Sequence, residues 1–391
     1  MLSYLTSGES HGVRLTAILD GFPAGVKLAV EKIDFQLARR QKGYGRGERM
    51  KIEKDRVKII SGVRGGISLG SPITLDIDNK DWPNWSESMS TEPTGKQKSK
   101  PLTRPRPGHA DLAGVIKYHQ NDLRNVLERA SARETAARLA LGALARQLLE
   151  HFQIDFASHV VRIGPLSLDA AYDLKDLNQV REITENSPVR CLDSQLGEQM
   201  VKAIDDARRD GDSLGGVAEV IISGLPVGLG GFSQGSKRLD SRLAGAVVSI
   251  PSVKGVEFGR GFEGSALRGS EIQDEIFYNS QDNSPRKGFY RQTNNAGGLE
   301  GGMTNGEDIV FRAAVKPIST LAKPLTSVDL ITREKVKAIF ERADVCVVPA
   351  VAVIAENIAA LVLAEAFLEK FGSDNLAEIE TNYNNFLQQP F

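Results

Sequence analysis

The feature that most constrains the fold of this chain is an internal repeat. Residues 12–25 read GVRLTAILDGFPAG, and they align without gaps on residues 215–228, which read GGVAEVIISGLPVG. Each copy is an apolar, β-rich stretch that ends in a Gly-x-Pro-x-Gly turn, and a similar helix start follows at 34–38 and at 240–244. We interpret the repeat as a duplicated strand-and-helix unit whose two copies form one body. The alternative is a chance likeness between two strands and their turns.

Apolar periodicity extends this prediction along the chain. Short apolar runs predict strands at 56–63, 73–78, 157–163 and 308–315, and helical spacing predicts helices at 131–152, 194–209, 238–249, 334–342, 350–371 and 375–387. Ser131 and Glu134 have capping-box spacing. Polar residues such as Glu356 interrupt the apolar stretch 345–368, which predicts a buried helix and not a membrane span. Because strands and helices do not alternate strictly, we predict an α+β fold with helices flanking antiparallel sheets.

Composition excludes several classes of protein. The 391 residues include 49 Lys+Arg and 50 Asp+Glu, for a net charge of −1, and 41% are hydrophobic. These values exclude wholesale disorder, collagen-like repeats and a membrane bundle. Cys191 and Cys346 are isolated, and the first residues do not read as a signal peptide, so we expect a reducing, cytoplasmic setting without a metal site.

Basic residues are nevertheless concentrated in two segments. Residues 39–58 contain nine basic and three acidic residues, and residues 96–109 add five Lys and Arg without an acid. The arginines lie among glycines, an arrangement suited to phosphate or carboxylate groups. An anionic small molecule and RNA both fit this pattern, although only Tyr44 is available to stack on a base. The proline-rich segment 79–106 is predicted to be a mobile loop.

Two histidines lie in glycine-rich or proline-rich surroundings. His11 is in GESHG at 8–12, and His109 is in RPRPGHAD at 104–111. Loop histidines are often structural, but a pair beside arginine clusters favours acid catalysis on an anionic substrate. The glycine-rich residues 294–302 and KPIST at 316–320 suit phosphate binding, and Asp344 is a candidate base.

Together these motifs resemble one family, chorismate synthase. The resemblance is carried by nine motifs in family order: GESHG at 8–12, RRQKGYGR at 39–46, RPRPGHAD at 104–111, RASARETA at 129–136, GLPVG at 224–228, KGVEFG at 254–259, NAGG at 295–298, KPIST at 316–320 and RAD at 342–344. They cover nearly the whole chain, and the length of the segment 79–106 is similar to that of the longer bacterial type.

The resemblance implies a lyase that converts 5-enolpyruvylshikimate 3-phosphate to chorismate and phosphate by anti-1,4-elimination, the last step of the shikimate pathway. It implies reduced FMN as cofactor without net redox change, with NADPH at most an indirect reductant. It also implies a homotetramer without nucleic-acid or membrane partners. The implied fold is a single β-α-β sandwich domain over 1–391 with a pseudo-twofold relating halves at about 1–150 and 210–371, followed by a C-terminal tail at 372–391.

The resemblance also assigns residues. His11 assists departure of the phosphate, His109 supplies a proton to the reduced flavin, and Asp344 helps the flavin N5 to remove the ring proton. The implied substrate-binding residues are Ser10, Arg40, Arg46, Arg49, Arg106, Ser131, Arg133 and Arg342. The implied FMN-binding residues are Arg129, Ala130, Ser131, Pro251, Ser252, Gly301, Lys316, Pro317, Ile318, Ser319, Thr320 and Arg342. Ser252 departs from the family pattern, in which alanine is common.

Two other functions remain open on the sequence. The first is a non-catalytic RNA-binding protein that uses the basic segment 39–58. The second is a different FMN enzyme that performs net hydride transfer.

Overall fold

The computed structural model describes residues 2–47, 49–93, 100–168, 176–282, 284–341 and 344–389. Its first sheet is antiparallel and has four strands: β1 (Ser3–Ser7), β2 (Arg14–Asp20), β3 (Val57–Ser61) and β6 (Ile73–Asp78). The spatial order is β1–β2–β6–β3. A short hairpin of β4 (Val63–Arg64) and β5 (Ile67–Ser68) lies between β3 and β6 in the chain.

The second sheet is also antiparallel, with five strands. They are β7 (Asp155–Ile163), β8 (Leu166–Ser167), β9 (Gly216–Ser223), β10 (Val253–Phe258) and β15 (Ile309–Val315). Their spatial order is β10–β15–β9–β7–β8. Three small hairpins complete the strands: β11 (Ile276–Tyr278) with β12 (Phe289–Arg291), β13 (Leu299–Glu300) with β14 (Met303–Thr304), and β16 (Thr326–Val328) with β17 (Lys335–Lys337).

Four helices of the described ranges form a layer between the two sheets. The helices of these ranges are α1 (Val30–Gln41), α2 (Arg49–Ile52), α3 (Asp111–Tyr118), α4 (Arg124–Leu127), α5 (Thr135–His151), α6 (Leu177–Asn186), α7 (Ser194–Asp210), α8 (Leu239–Val248), α9 (Gly261–Gly264), α10 (Gly269–Ile272), α11 (Val348–Phe371) and α12 (Leu376–Gln388). The layer consists of α1, α5, α8 and α11. Helices α1 and α5 pack on the first sheet, α8 and α11 pack on the second, and α5 contacts α11. The main core therefore lies where these two helical pairs meet.

Helix α11 is the centre of this core. It is the one helix of the described ranges that is long and apolar enough to cross a membrane, but 89% of its most apolar window is buried inside the fold. It approaches α5 so closely that a Cβ on Gly142 would come within 2.0 Å of the Asn357 carbonyl oxygen. The buried helix predicted from the sequence is therefore confirmed, and its contact with α5 requires glycine.

The two copies of the repeat have matching local structure. Each copy supplies an interior strand of its sheet, β2 in the first and β9 in the second. The turn glycines Gly21, Gly25, Gly224 and Gly228 all have positive φ, from 78° to 87°. Helices α1 and α8 follow these turns. These similarities support the duplicated unit, while a pseudo-twofold relating the two halves stays a prediction.

The α+β prediction with antiparallel sheets is confirmed, but the helix predicted at 334–342 is wrong. Residues 335–337 instead form β17, which pairs with β16. The Asp329 carboxylate accepts the N–H groups of Ile331 and Thr332 in a turn between these strands. Ile339 donates its N–H to the Arg104 carbonyl. Pairing with distant backbone outweighs helix propensity here. In the predicted capping box, Ser131 caps a 3₁₀ turn and Glu134 pairs with Arg138.

A fully buried carboxylate joins three helices to the second sheet. Glu356 on α11 accepts hydrogen bonds from Arg39 on α1 at 2.7 and 2.9 Å, from Arg146 on α5 at 2.8 Å, and from Ser158 on β7 at 2.5 Å. Burial raises the pKa of Glu356, but the charges and hydrogen bonds of Arg39 and Arg146 outweigh burial and hold that pKa far below its usual range. Glu356 is therefore ionised in the core.

We expect Glu356→Gln to lower the free energy of unfolding by about 3–5 kcal/mol, because it leaves Arg39 and Arg146 buried without their carboxylate. The measurement is urea denaturation at neutral pH and fixed protein concentration. The matched control is Glu369→Gln on the same helix, which removes only a partly exposed pair with Arg242 and should cost about 0–1 kcal/mol. Equal losses in the two variants would contradict the prediction.

The glycine-rich segment 294–302 folds against the start of β15. The Asn294 side chain donates to the Asp308 carbonyl and accepts the Gly298 N–H, and the Val310 N–H is donated to the Gly297 carbonyl. The Asp308 side chain is partly buried at this junction. Burial and the charge of Glu307 raise the pKa of Asp308 to about 6, against the opposing charge of Arg286. The ionised carboxylate is therefore a cost to the folded state near neutral pH.

We expect Asp308→Asn to stabilise the protein above pH 6, by at most about 3 kcal/mol. In the unfolded chain the Asp308 carboxyl ionises near its ordinary value of 3.8, whereas in the folded protein it ionises near 6. The folded state thus holds more protons between about pH 4 and 6, and stability falls as pH rises through that window. Urea denaturation from pH 5 to 8 tests this, with Asp282→Asn as control. Asp282 forms an ion pair with Arg286. Because Asp282→Asn removes this pair, that variant should not gain stability.

Candidate active site

A cavity of about 860 Å³ opens at the end of the helical layer where α5 and α11 begin. Its wall brings together segments that are far apart in the sequence, including the loops around residues 10 and 109 and the turn after α8. Of the residues predicted from the sequence, the following line it: Ser10, His11, Arg40, Arg46, Arg106, His109, Ala130, Ser131, Arg133, Pro251, Ser252, Lys316, Ile318, Ser319, Thr320 and Asp344.

The other predicted residues lie elsewhere. Arg129 donates to the Gly8 and Thr6 carbonyls at 3.0 and 2.8 Å, so its guanidinium holds β1 and is not among the cavity-lining groups. Gly301 is in the turn between β13 and β14, and Pro317 is adjacent to lining residues without lining the cavity itself. Arg342 and the side chain of Arg49 fall outside the described residues.

His11 is held on two sides. Its Nδ1 lies 2.8 Å from Glu128 Oε2, and the same oxygen accepts the His11 backbone N–H at 3.0 Å. The indole of Trp85 stacks on the imidazole with 4.0 Å between ring centroids, and the Arg124 guanidinium lies over the indole. Trp85 belongs to the segment predicted to be a mobile loop, of which residues 79–93 and 100–106 are described. Here that segment forms part of the cavity wall.

His109 has a similar support. Its Nδ1 lies 2.5 Å from Asp111 Oδ1, and Arg106 donates to both carboxylate oxygens of Asp111, from Nε at 2.8 Å and from Nη2 at 3.1 Å. Arg106 also donates to the Thr320 hydroxyl at 3.0 Å. The Asp111 carboxylate is fully buried at the start of α3. These contacts join the loop of His109 to the segment that contains Thr320.

The two supporting carboxylates are ionised. Burial raises the pKa of Glu128, but the hydrogen bond and charge of His11 and the charge of Arg124 outweigh burial and lower it. Burial likewise raises the pKa of Asp111, and hydrogen bonds from His109 and Arg106 overcome that effect and lower it strongly. Each histidine thus faces a carboxylate that remains charged across the neutral range.

Two buried arginines form the cationic wall. Arg40 donates to the Thr135 hydroxyl and the Ala132 carbonyl, both at 3.0 Å, and Arg133 donates from Nη1 to both oxygens of Asp55 at 2.6 and 2.7 Å. Within the described residues, Arg40 Nη1 and Arg133 Nη2 have no hydrogen-bond partner. Their closest carboxylate oxygens, on Asp55 and Glu53, lie 3.6 and 3.7 Å away. Burial and the charges of Arg46 and Arg133 lower the pKa of Arg40 to about 10, although the charge of Asp55 acts to raise it.

A loop from the first half of the chain holds Asp344 in place. The Gly47 N–H donates to Asp344 Oδ1 at 2.6 Å, and Arg46 Nε lies 3.1 Å from Oδ2. The neighbouring Val345 N–H donates to the Gly45 carbonyl at 2.7 Å. The cationic, glycine-spaced segment therefore supplies both a charge and a backbone donor to this carboxylate.

Two lysines lie on another part of the wall. Lys316 and Lys254 both line the cavity, and Lys316 Nζ donates to the Gly108 carbonyl at 3.1 Å. Burial and the charge of Lys254 both lower the pKa of Lys316. An anion bound between the two ammonium groups would relieve this mutual repulsion.

Apolar side chains near the end of α8 and the start of α11 also line the cavity, beside polar residues such as Asp81 and Asn84. The apolar residues are Val248, Ile250, Val253, Val347, Val351 and Ile354. Apolar surface together with convergent polar groups is typical of a small-molecule site. The arrangement can bind a polyanion and a flat apolar ring together, with two imidazoles available for proton transfer.

Sequence reasoning missed four lining or supporting residues: Trp85, Glu128, Asp111 and Lys254. Asp111 and Lys254 were inside recognised motifs, and Glu128 directly precedes the motif at 129–136. A search for carboxylates that support each histidine could have found Asp111, which is two residues from His109. Trp85 gave no local signal, because only the tertiary structure brings its segment to His11.

Comparisons with known proteins agree with this geometry. The family model for chorismate synthase matches residues 2–368. A chorismate synthase from Desulforudis audaxviator (strain MP104C) is 55% identical over 389 residues, covering 100% of this chain and 98% of that protein. One from Geobacter sulfurreducens is 52% identical, covering 99% of each. A crystal structure of a chorismate synthase matches with a TM-score of 0.79 and 40% identity, covering 99% of this chain and 97% of that one. The chain therefore belongs to the chorismate synthase family and is an enzyme.

Proposed function

We propose that this enzyme converts 5-enolpyruvylshikimate 3-phosphate to chorismate and phosphate by anti-1,4-elimination in the presence of reduced FMN, as the last step of the shikimate pathway. The reaction breaks a C–O bond to phosphate, removes a ring proton and forms a new double bond. It therefore needs a site that binds a polyanion, neutralises a departing phosphate and accepts a proton.

One observation carries this proposal. The buried donors of Arg40 and Arg133 that lack a hydrogen-bond partner among the described residues belong to the same cavity as the two carboxylate-supported histidines. A buried donor without a partner is costly, so these N–H groups favour a bound anion that accepts from them. A substrate with one phosphate and two carboxylates supplies such acceptors.

The residues present fit a flavin mononucleotide. The lysine pair Lys254 and Lys316 suits a phosphate, while Ala130, Pro251 and Ile318 offer backbone and apolar surface to a flat ring. When bound, reduced FMN would supply an electron-rich ring beside the substrate and would be regained unchanged, because the elimination has no net redox change. Ser252 lines the cavity with φ of 74°, so we infer that its backbone makes the contact.

The chain's own residues would act on protons. His11, with its Nδ1 on Glu128, would use the other ring nitrogen to neutralise the departing phosphate. His109, with its Nδ1 on Asp111, would supply a proton to the cofactor side of the cavity. Asp344, whose carboxylate is fixed by Arg46 and the Gly47 N–H, would assist removal of the ring proton from the substrate.

The structure disfavours the RNA-binding alternative. In the segment 39–58, Arg39 and Arg40 are buried, and the exposed cations Arg56 and Lys58 pair with Asp34 and Asp78. The arginines of this segment whose side chains are described therefore bind other parts of the protein or line the cavity, and they do not form one open basic surface. The hydride-transfer alternative remains a question of the reaction's redox balance.

Other expectations from the resemblance are part of the proposal. We propose a homotetramer in the cytoplasm, with a small-molecule substrate and no nucleic-acid or membrane partner. We further propose that FMN is reduced by an external donor, with NADPH only an indirect source of electrons.

The direct test is anaerobic incubation of the protein with chemically reduced FMN and 5-enolpyruvylshikimate 3-phosphate. We expect phosphate and chorismate in equal amounts, with the flavin still reduced at the end. Flavin oxidised once per turnover would support hydride transfer instead. Salt-dependent RNA binding without phosphate release would support the RNA-binding alternative.

In the same assay, His11→Ala and His109→Ala should each lower kcat about 10²–10⁴-fold, the usual contribution of general acid catalysis. His151→Ala is the matched control, because His151 is exposed and pairs with Glu380 far from the cavity. Undiminished turnover in either cavity variant would refute the proton-transfer role of that histidine.

A binding experiment tests the lysine pair. Lys316→Met should weaken FMN binding about tenfold, which is the loss of one charge-assisted contact to phosphate, and should change riboflavin binding little. Lys323→Met, on the same segment but outside the cavity lining, serves as control. Calorimetric titration with both flavins gives the result, and equal weakening of FMN and riboflavin would contradict phosphate binding by Lys316.

A further inference from the structure

Four histidines of the described chain have a carboxylate partner, and they differ in the ring nitrogen that contacts it. His151 and His159 use Nε2, toward Glu380 and Glu219. His11 and His109, the two in the cavity, use Nδ1. A contact through Nδ1 turns Nε2, at the tip of the ring, away from the supporting carboxylate and toward the cavity.

The support of His11 is fixed at both ends. Glu128 Oε2 accepts from the ring and the backbone N–H of His11, and Oε1 accepts from Arg124 at 2.8 Å. The Glu128 side chain is 1% exposed, so water does not compete for these oxygens. These contacts hold the carboxylate in one orientation, and its hydrogen bond to Nδ1 in turn fixes the orientation of the imidazole.

His109 has the same three-part arrangement in a different local structure. Asp111 Oδ1 contacts the ring nitrogen, while Oδ2 accepts the Arg106 backbone N–H at 3.1 Å and its Nε at 2.8 Å. The Asp111 side chain is 0% exposed. Since helix α3 supplies Asp111 and helix α4 with its flanking residue supplies Arg124 and Glu128, the two supports do not share an element.

We propose that Glu128 and Asp111 are positioning residues, each of which accepts the Nδ1 proton of one cavity histidine and thereby directs its Nε2 into the cavity. The chemical meaning of this arrangement rests on the proposed function, but the arrangement itself belongs to the protein without ligands.

Other charged groups also face each ring. His11 Nε2 lies 4.0 Å from Asp81, and Arg124 is on the far side of both Glu128 and Trp85. His109 has Arg106 Nη2 3.1 Å from Nδ1 and 3.4 Å from Nε2, and Lys316 binds the carbonyl of the preceding Gly108. A guanidinium can only donate, whereas the Asp111 carboxylate can only accept, so Asp111 is the group that holds the His109 proton on Nδ1.

The test uses the protein without FMN or substrate, with ¹⁵N-labelled histidine. Long-range ¹H–¹⁵N correlation spectra at alkaline pH show which ring nitrogen of each imidazole carries the proton. In the parent protein we expect the proton of His11 and that of His109 on Nδ1. Glu128→Leu should move the His11 proton toward Nε2, the position that free imidazole favours, and leave His109 unchanged. Asp111→Leu should do the reverse.

The pairing of each variant with one histidine separates this effect from a general loosening of the site. A shift of the proton at both histidines in each variant would overturn the proposal. Proton positions that do not change in either variant, or a parent protein with these protons on Nε2, would also overturn it. His151, whose Nε2 contacts Glu380, is the internal control in the same samples and should not change.

Amide variants keep the test valid if an apolar variant does not fold. Glu128→Gln and Asp111→Asn keep the size of the side chain, but the amide can either accept or donate a hydrogen bond. We expect the fraction of the facing histidine with its proton on Nδ1 to lie between those of the parent and the apolar variant. An amide variant with the same fraction at both histidines as the parent, beside an apolar variant that also matches the parent, would contradict the proposal. Because no turnover is measured, failure here is distinguishable from failure to form chorismate.

Discussion

The ionised Glu356 at the centre of the protein is the constraint on which much of the structure depends. Its carboxylate must be met by cations from α1 and α5 and by a hydroxyl from the second sheet, since a buried charge without partners is costly. This requirement fixes the rotation of α1. Successive helical residues point about 100° apart, so with Arg39 turned to Glu356, the adjacent Arg40 reaches the cavity. A core interaction thereby sets the direction of a ligand-binding side chain.

The basic residues that stood out in the sequence divide into two groups in the structure. Some, such as Arg39 and Arg129, bind the protein's own carboxylates and carbonyls. Others, such as Arg40 and Arg133, keep donors that the described residues do not fully use. A net charge of −1 conceals this division. The cavity is cationic because a few buried arginines and two lysines converge there, and not because the segment 39–58 as a whole faces a ligand.

Much of the site could be predicted, because catalytic histidines and glycine-spaced arginines occur in short local motifs. His11, His109 and Asp344 reach one cavity although over 300 positions separate the first from the last. The fold class could also be predicted, since strand and helix periodicities are local. The helix prediction at 334–342 is wrong, because the backbone there pairs with β16 and with residue 104, and a local pattern does not reveal such tertiary contacts. Trp85 was missed as a lining residue for the same reason. Arg129 shows that a motif residue can have a structural role, since it donates to the Gly8 carbonyl.

The contact between Gly142 and Asn357 has a consequence for the cavity. Helices α5 and α11 begin at the cavity wall, where Thr135 and Val351 line it, and their backbones are in close contact at Gly142, about two turns further along α5. Because glycine has no side chain, the two helices can approach closely here, and this contact influences the distance between their ends at the cavity. A side chain at this position would push the helices apart, so a residue outside the cavity lining affects the width of the cavity.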